Sequence, residues 1–295
     1  MGRTVKVLEE TPQRASAGPF VGRSVERVED LTLLRGRGRF ADDLPVPPGL
    51  SHAAFLRASV PHARISSLDT ERAKAMPGVH AVVTGEDVQA HSSPFITAVK
   101  VDAPQHALAT DRIRYVGEPL AIVIADSRYV AEDALDLIEV RLEPLDAITD
   151  PAAAAASDAP RLHPRTDSNV LHERCFSYGE ADAAFANADR VVETTVSYPR
   201  NACTPIECLC VISQYDPGEA SFEITANFQG PYTLHGVMAR ALGVPGNKLR
   251  LKTPADSGGS YGVKQAVFPY VVALGVAAKL AGRAVKWVED RLEHL

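Results

Sequence analysis

The sequence has few of the residues that cross-link a protein or give it a strong charge of one sign. Its 295 residues include only four cysteines, too few for a disulfide scaffold of this length. Asp and Glu number 37 and Lys and Arg 31, so the formal net charge is −6. The chain therefore lacks the basic field that recruits nucleic acid or an anionic membrane, and neither partner is expected.

Long hydrophobic runs are also missing. The longest, 266–278, contains Pro269 and Gly275 and ends at Lys279. A membrane-spanning helix needs about 18 to 20 apolar residues, so no span is expected. Residues 1–14 mix charges of both signs and have no apolar centre, unlike a secretory signal. With 45% apolar and 23% charged residues, the composition is that of a soluble globular protein, predicted to be cytoplasmic.

Three of the cysteines, Cys203, Cys208 and Cys210, form a C-x4-C-x-C pattern that raises the question of a metal site. The spacing fits neither a zinc ribbon nor a ferredoxin cluster. Residues 208–212 alternatively resemble a buried strand, in which cysteine acts as a small apolar side chain. We favour the packing interpretation and predict no protein-ligated metal.

The first half of the chain has the patterns of an α+β unit. Residues 1–19 are polar and predicted to be mobile. The patterns in 20–148 then predict strands at 52–59, 79–84, 118–125 and 138–142, a helix at 70–76, a turn at 85–87 and a helix capped by Ser127 that ends near 137. We assign 20–148 to one domain. The segment 149–164, rich in Ala, Pro, Ser and Asp, is a linker by composition.

Residues 165–295 form the second predicted domain. Strands are expected at 191–198, 208–215, 221–228, 248–253 and 284–288, with a hairpin turn at Asp216-Pro217-Gly218. Helices are expected at 233–242 and 264–280, the second ended by Gly282, and at most a short helix within 179–189.

A glycine-rich loop, Asp256-Ser-Gly-Gly-Ser-Tyr-Gly-Val-Lys-Gln265, lies between a predicted strand and a predicted helix. Glycines allow the backbone to turn tightly and to present successive amide groups, which is an arrangement that binds anions. The loop matches neither the Walker A phosphate loop of nucleoside triphosphatases nor the G-x-G-x-x-G fingerprint of dinucleotide-binding domains. A tight turn without a ligand is the alternative interpretation.

Two polar side chains outside the loop are candidates for the same site. Gln229 follows a predicted strand that Gly230 and Pro231 end, so its amide is presented at a strand end, although a lone glutamine there commonly only caps a turn. Glu207 lies among apolar residues and is interpreted first as a partnered structural acid and second as a site residue.

Taken together, these motifs resemble one enzyme family, the molybdenum hydroxylases, which include xanthine dehydrogenase, carbon monoxide dehydrogenase and aldehyde oxidase. The resemblance covers nearly the whole chain and corresponds to the N-terminal portion of the family's large subunit. The segments that carry it are 37–43, 114–119, 138–145, 204–210, 229–231, 256–265 and 285–291.

The resemblance implies an α+β fold in which 20–148 is an α/β-hammerhead domain and 165–295 is the first part of a domain that binds the molybdenum-pterin cofactor, a molybdopterin that is expected as a dinucleotide. By position, Gln229 and Tyr261 correspond to residues that face the metal centre. Gln265 stands where purine-oxidising members carry glutamate, which weakens a purine assignment. The implied catalytic residues are Gln229, Tyr261 and Gln265; the implied cofactor-binding residues are Gln229, Gly258, Gly259, Ser260, Tyr261 and Gly262.

The resemblance further implies oxidative hydroxylation of an aldehyde, an N-heterocycle or a similar small molecule, with oxygen derived from water. Most pterin contacts and the family's active-site glutamate lie outside the matched portion. They are expected on the second part of the molybdenum subunit, with iron–sulfur clusters and FAD on partner subunits. The chain by itself is expected to be inactive. A non-catalytic assembly module is the rival interpretation, and a carbon monoxide dehydrogenase-type subunit is the narrower one.

Overall fold

The computed structural model describes residues 20–96, 99 and 101–295 of the chain. The predicted mobile segment 1–19 lies outside the described residues. Two units are distinguished, Met1–Arg39 and Phe40–Leu295. In the described part of the first unit, a short helix, α1 (Asp30–Leu34), begins beside an exposed ion pair between Arg27 and Asp30. All further elements belong to the second unit.

The second unit contains strands and helices from both predicted domains. Its strands are β1 (Ser51–Arg57), β2 (Ala63–Asp69), β3 (Val79–Thr84), β4 (Arg112–Ile113), β5 (Pro119–Ala125), β6 (Glu139–Pro144), β7 (Cys210–Asp216), β8 (Ser221–Ala226), β9 (Leu249–Lys252) and β10 (Val285–Val288). Its α-helices are α2 (Glu71–Lys74), α3 (Gly85–His91), α4 (Arg128–Leu135), α5 (Pro151–Ala154), α6 (Ala181–Ala186), α7 (Pro231–Ala241), α8 (Phe268–Ala281) and α9 (Arg291–His294). Short 3-10 turns occur at Ala41–Asp43, Gly246–Lys248 and Val263–Val267.

A seven-stranded mixed sheet organises this unit, with the strand order β3-β5-β1-β10-β7-β8-β9. The parallel pairs are β1 with β10 and β8 with β9, and the other neighbours are antiparallel. Strands from 20–148 and from 165–295 thus share one sheet, joined where Ser51 pairs with Val285. A second, three-stranded antiparallel sheet has the order β4-β2-β6.

Strand β5 is buried along its whole length because helices cover both faces of the large sheet. Its side chains alternate between two apolar clusters, as the two-residue period of a strand requires. Ile122 and Ile124 join the cluster that contains the buried residues of α8, whereas Val123 and Ala125 join the cluster that contains Ala131 of α4. This explains why the sequence shows an unbroken apolar run there.

Helix α8 is the central core helix, and the structure corrects its start. Its residues from Val271 to Ala278 are all buried. The predicted start at Lys264 is wrong: residues Val263–Val267 form a 3-10 turn and the α-helix begins at Phe268. Pro269 explains the shift, because proline lacks an amide hydrogen and is tolerated only in the first turn of an α-helix. Gly282 ends the helix in a left-handed conformation, as predicted.

The same helix bears on the membrane prediction. Together with the 3-10 turn, the stretch Val263–Ala281 has the length and composition of a membrane-spanning segment, with 56% of its most apolar window buried in the protein. A buried core helix passes the same test, so this is weak support for a span.

Two other local predictions are wrong. Residues 85–87 do not form a turn but begin α3, because the Thr84 side chain accepts a hydrogen bond from the amide of Asp87 and the Asp87 carboxylate accepts from the amide of Thr84. Residues 191–198 form no paired strand within the described chain; they have no regular secondary structure and are exposed.

The predicted linker 149–164 has local order of its own. Asp150 caps α5 through the amide of Ala152. Asn169 donates to the carbonyls of Ala154 and Pro160 at 3.1 and 2.9 Å, and its side-chain oxygen accepts from the amide of Leu162. Because strands from both sides of 149–164 share one sheet, the division of the chain into two domains at this segment stays a proposal.

Candidate cofactor site

The glycine-rich loop leaves β9 and enters the 3-10 turn through an unusual backbone path. Gly259, Tyr261 and Gly262 have φ angles of +97°, +52° and +99°, the left-handed region that glycine occupies without cost and other residues rarely adopt. Gly258 is required for a different reason. A Cβ atom there would lie 2.3 Å from Cβ of Glu207, closer than any real contact. The loop sequence is thus dictated by its shape.

Ser260 connects this loop to Gln229. Its hydroxyl oxygen accepts hydrogen bonds from the amides of Gly262 and Lys264, both at 3.2 Å, and lies in hydrogen-bond contact with Oε1 of Gln229. The two amides already occupy the acceptor lone pairs of this oxygen. The hydroxyl therefore contacts Gln229 by donating its hydrogen. The facing group of Gln229 must then be its acceptor oxygen, which leaves the NH₂ group directed away from Ser260.

The backbone of Gln229 is held by the same loop. Its amide donates to the carbonyl of Lys264 at 3.2 Å, while Gly230, with a φ angle of +68°, turns the chain into α7. Gln229 is therefore held through both backbone and side chain. The structure brings together Gln229 and the loop, which the motifs had selected, but the motifs did not identify Ser260 as the residue that orients the glutamine. The sequence did contain a signal, because a serine hydroxyl at that point of the loop can both donate and accept a hydrogen bond.

The loop has free donors where a ligand would sit. Within the described chain, the amides of Gly259, Ser260 and Tyr261 donate to no backbone carbonyl. A Cβ atom placed on Gly262 would meet no atom within 4 Å, so the space in front of the loop at that residue is open. Three free amides and the Gln229 NH₂ group form a set of donors suited to oxo and phosphate oxygens, so these residues fit the molybdenum-pterin cofactor.

A buried ion pair lies behind the loop. The Lys264 ammonium, whose side chain is 1% exposed, contacts Oε2 of Glu207. The same carboxylate accepts from the amides of Gly258 at 2.9 Å and Ala41 at 3.2 Å. Burial by itself would raise the pKa of Glu207, but the hydrogen bonds from Lys264, Gly258 and Ala41 outweigh it and hold the pKa below its usual value. Glu207 is thus the partnered structural acid that the sequence favoured.

The segment 285–291 supports the chain on which Glu207 lies. Arg291 donates to the carbonyls of Pro205 and Ile206, and the Glu289 carboxylate accepts from the amide of Leu209 at 3.0 Å. These contacts place residues 205–209 against the loop. They give a structural reason for the charged end of the motif that begins at Val285.

The remaining predicted site residues lie at the surface. Tyr261 is 79% exposed and its carbonyl accepts a weak hydrogen bond from the Cys203 thiol at 3.3 Å. Gln265 is exposed, and its amide donates to the carbonyl of Gly262. Its side chain contacts no hydrogen-bonding group among the described residues, so its catalytic role stays a prediction. The candidate site is one wall of a site rather than an enclosed cavity.

The cysteine pattern is dispersed by the fold. Cys210 is buried on β7, where desolvation raises the pKa of its thiol to about 12, whereas Cys203 is exposed and Cys208 lies outside the strand. Cys210 thus has the packing role that was favoured. Among residues 20–96, 99 and 101–295, no three His, Cys, Asp or Glu side chains are grouped closely enough to bind a metal ion.

Residues 258–262 also match the G-x-S-x-G pattern of serine hydrolases. The geometry does not support a nucleophile, because the Ser260 hydroxyl donates to Gln229 and no histidine among the described residues hydrogen-bonds to it. A cleft with a volume of about 1300 Å³ is lined by residues such as Arg114, His163 and Tyr270 and by none of the predicted site residues. We therefore place the candidate site at the loop and not in that cleft.

Comparisons with known proteins show the family to which the chain belongs. Residues 35–146 match the family described as the aldehyde oxidase and xanthine dehydrogenase a/b hammerhead domain, and residues 162–295 match the molybdopterin cofactor-binding domain. The chain is 36% identical to the nicotine 6-hydroxylase large subunit of Paenarthrobacter nicotinovorans, with 93% of this chain and 34% of the relative covered. It is 33% identical to the carbon monoxide dehydrogenase large chain of Hydrogenophaga pseudoflava, with 90% and 34% covered.

A solved structure shows the same architecture. Quinoline 2-oxidoreductase from Pseudomonas putida 86 aligns with a TM-score of 0.83 and 34% identity over 92% of this chain and 35% of that chain. The expected hammerhead and cofactor-binding fold is thereby confirmed. The chain spans about a third of the length of the relatives it matches. It belongs to the molybdenum hydroxylases, the family of xanthine dehydrogenase, aldehyde oxidase and carbon monoxide dehydrogenase, and represents part of their large subunit.

Proposed function

We propose that this chain forms one wall of the cofactor site in the catalytic subunit of a molybdenum hydroxylase. The observation that carries the proposal is the contact between Ser260 and Gln229, which holds the Gln229 NH₂ group free beside three free loop amides. The reaction is oxidative hydroxylation of an aldehyde, an N-heterocycle or a similarly activated small molecule, with oxygen from water. The names of the relatives, which include a nicotine hydroxylase and a quinoline oxidoreductase, support this class.

The residues of this chain would bind and orient the cofactor. When bound, the molybdenum-pterin group supplies the oxidation–reduction chemistry. Gln229 donates a hydrogen bond from its NH₂ group, and the amides of Gly259, Ser260 and Tyr261 donate from the loop. Tyr261 and Gln265 face the open side of this wall, where a substrate would approach. The buried pair of Lys264 and Glu207 keeps the loop in its left-handed path, so that the donors stay preorganised.

Completion of the site is assigned to other polypeptide. The second part of the molybdenum subunit would provide the remaining cofactor contacts, and iron–sulfur and FAD subunits would carry electrons away. The relatives include large subunits and a subunit of a dehydrogenase complex, which supports a multisubunit assembly. We propose the cytoplasm as its location on the composition of the chain.

The rival function is an assembly module that binds partner subunits without a competent cofactor site. The exposure of Tyr261 and Gln265 favours it when the chain is considered alone. A carbon monoxide dehydrogenase-type activity is the narrower alternative, and two relatives named as carbon monoxide dehydrogenase large chains support it. Molybdenum content measured with and without the partner subunits separates the enzyme from the module.

The direct test is Gln229→Ala in the complete assembly. Loss of a preorganised donor at a reacting centre costs about 2.7 to 4 kcal/mol in the strongest cases, so turnover should fall by about 10² to 10³-fold. Molybdenum content and the thermal midpoint should be nearly unchanged, because water can replace a surface amide at a cost of about 1 kcal/mol. Gln89→Ala on α3 is the matched control. Unchanged turnover at full molybdenum occupancy would show that Gln229 only caps a turn.

A further inference from the structure

The segment 172–204, which we call the arm, is the most exposed part of the second unit. Every residue of the arm is exposed, although the arm lies between the buried strand β7 and Asn169, whose side chain donates to the carbonyls of Ala154 and Pro160. It also carries large apolar side chains that a soluble surface rarely displays together. These are Phe176 (82% exposed), Tyr178 (98%), Phe185 (64%), Val191 (58%), Val192 (81%), Val196 (82%) and Tyr198 (83%).

Residues 190–198 of the arm have the composition of a strand with one apolar face. The even positions hold Val192, Thr194, Val196 and Tyr198, and the odd positions hold Val191, Glu193, Thr195 and Ser197, so the even face is the more apolar one. Valine, threonine and tyrosine are typical strand residues, and the two-residue alternation is typical of a strand that is buried on one side. No apolar cluster of the second unit includes Val192, Val196 or Tyr198.

The backbone of this segment is also unpaired. Within the described chain, no hydrogen bond joins a backbone amide or carbonyl of residues 190–200 to another backbone group. A segment with unpaired backbone groups and a strand-forming sequence with one more apolar face is suited to strand addition, in which it joins the edge of a sheet on another polypeptide.

The position of the arm indicates which polypeptide would supply that sheet. The arm leads into residues 203–207, where the Cys203 thiol contacts the carbonyl of Tyr261 and Glu207 contacts Gly258. A polypeptide that covers the arm therefore lies beside the candidate cofactor site. About two thirds of each relative's large subunit lies outside the part that this chain spans. A second copy is a poor occupant, because two paired arms would form a two-stranded ribbon whose apolar face stays exposed.

We propose that residues 190–198 add as a β-strand to a sheet in the part of the large subunit that this chain does not span, with Val192, Val196 and Tyr198 packed beneath it. The proposal rests on the proposed function only in assigning that polypeptide to a molybdenum hydroxylase. It makes the arm the element that joins the two parts of the cofactor site.

The test uses the full chain with a defined probe. The probe is the portion of the nicotine 6-hydroxylase large subunit that lies beyond its match to this chain. It is supplied either as a separate polypeptide or fused after Leu295, so that docking between chains and docking within one chain are distinguished. Hydrogen exchange of the amides in 190–198 and binding by light scattering are measured. We expect rapid exchange in the chain alone and protection of alternate amides when the probe is present.

Two kinds of variant test the contacts. Val196→Asp should weaken binding about tenfold or more because it places a charge in the apolar interface, whereas Val28→Asp, at a 92% exposed valine outside the arm, should not. Thr194→Pro and Thr195→Pro are made separately, since adjacent amides point to opposite sides of a strand. One of the two should weaken binding strongly, and the matched alanine variants should not.

Several outcomes would overturn the proposal. One is rapid exchange of the amides in 190–198 although a complex forms. Another is binding that Val196→Asp and both proline variants leave unchanged. The third is no binding of the separate probe together with no protection in the fused protein. Protection caused by self-association, or only by an iron–sulfur subunit, would assign the arm to another partner. A fused protein that contains molybdenum and turns over with an unprotected arm rejects this inference but keeps the proposed function. A fused protein with a protected arm but no molybdenum rejects the proposed function and keeps this inference.

Discussion

At the scale of single residues, Ser260 determines the direction of the Gln229 amide. In Ser260→Ala, the amides of Gly262 and Lys264 lose their common acceptor, and the Gln229 side chain is free to rotate. We expect turnover of the complete assembly to fall by about tenfold, the equivalent of about one hydrogen bond, with a smaller change in the thermal midpoint. Ser260→Thr keeps the hydroxyl and is the control. Equal losses in the two variants would mean that the hydroxyl does not orient the amide.

The ion pair of Lys264 and Glu207 is expected to contribute to stability. In Lys264→Met, the partly buried Glu207 carboxylate loses its cation, so the free energy of unfolding should fall by about 2 to 3 kcal/mol, somewhat below the range for fully buried pairs. Urea unfolding provides the measurement. Lys74→Met, which breaks an exposed ion pair with Glu71, should cost less than about 1 kcal/mol. Similar losses in the two variants would contradict the importance of burial.

The same pair predicts a dependence of stability on pH. The pKa of Glu207 is held below its usual value in the folded protein, mainly because hydrogen bonds from Lys264, Gly258 and Ala41 outweigh the effect of burial. Its stabilising contribution is therefore complete above the unfolded pKa, about 4.3, and is lost as the pH falls through the lower folded pKa. Unfolding measured from pH 6 to pH 3 should show this loss in the wild type, and Glu207→Gln should lack that component.

At the scale of secondary structure elements, two glycines in helices are expected to respond in opposite ways to alanine. A Cβ on Gly85, at the start of α3, would lie 2.0 Å from the carbonyl oxygen of Ala109, a backbone atom that cannot move freely. A Cβ on Gly236, in α7, would meet no atom within 4 Å. Gly85→Ala should therefore destabilise the protein by about 1 to 3 kcal/mol, and Gly236→Ala should stabilise it by up to about 1 kcal/mol.

Thermal unfolding of both variants is the measurement, and each serves as the control for the other. A stabilising Gly85→Ala would show that α3 does not approach residues 109–110 as closely as described. The comparison also tests the position of α3, the helix that replaced the predicted turn at 85–87.

At the scale of the whole molecule, the chain presents its candidate site on an open surface. Gln229, Gly259, Tyr261, Gly262 and Gln265 are all exposed. We expect the isolated chain to bind little or no molybdenum cofactor, because one wall of donors cannot exclude water from a ligand. Elemental analysis of the purified chain, compared with the chain in its complete assembly, is the measurement. Stoichiometric molybdenum on the isolated chain would contradict this prediction.

The most apolar helix and the last strand of the chain need cover from other elements. Their sequences, 264–280 and 284–288, are predominantly apolar and would be exposed if the second unit did not enclose them. In the structure, α8 and β10 are largely buried within the second unit, in one cluster with Val211, Ile224 and Trp287. Several of the exposed large apolar residues lie instead in the arm, which includes the predicted strand 191–198.

The sequence by itself determined most elements of this protein and the candidate site. Local chemistry is sufficient for features such as the Ser127 cap of α4, the turn at 216–218 and the left-handed end of α8 at Gly282, since each depends on residues within a few positions. The motifs likewise selected Gln229 and the loop 256–265, because a specific backbone path and a specific donor leave a readable pattern.

Tertiary structure alone decided how these parts combine. No local pattern specifies that β1 pairs with β10 more than 200 residues later, or that Lys264 reaches Glu207 behind the loop. Strand pairing and burial of charge depend on which surfaces meet, and many pairings satisfy the same alternation of apolar residues. For the same reason, the strand pattern at 191–198 could not show whether an edge is present to receive the segment, and the predicted strand does not form among the described residues. Pairing of that segment depends on a neighbouring strand, which the described chain does not provide.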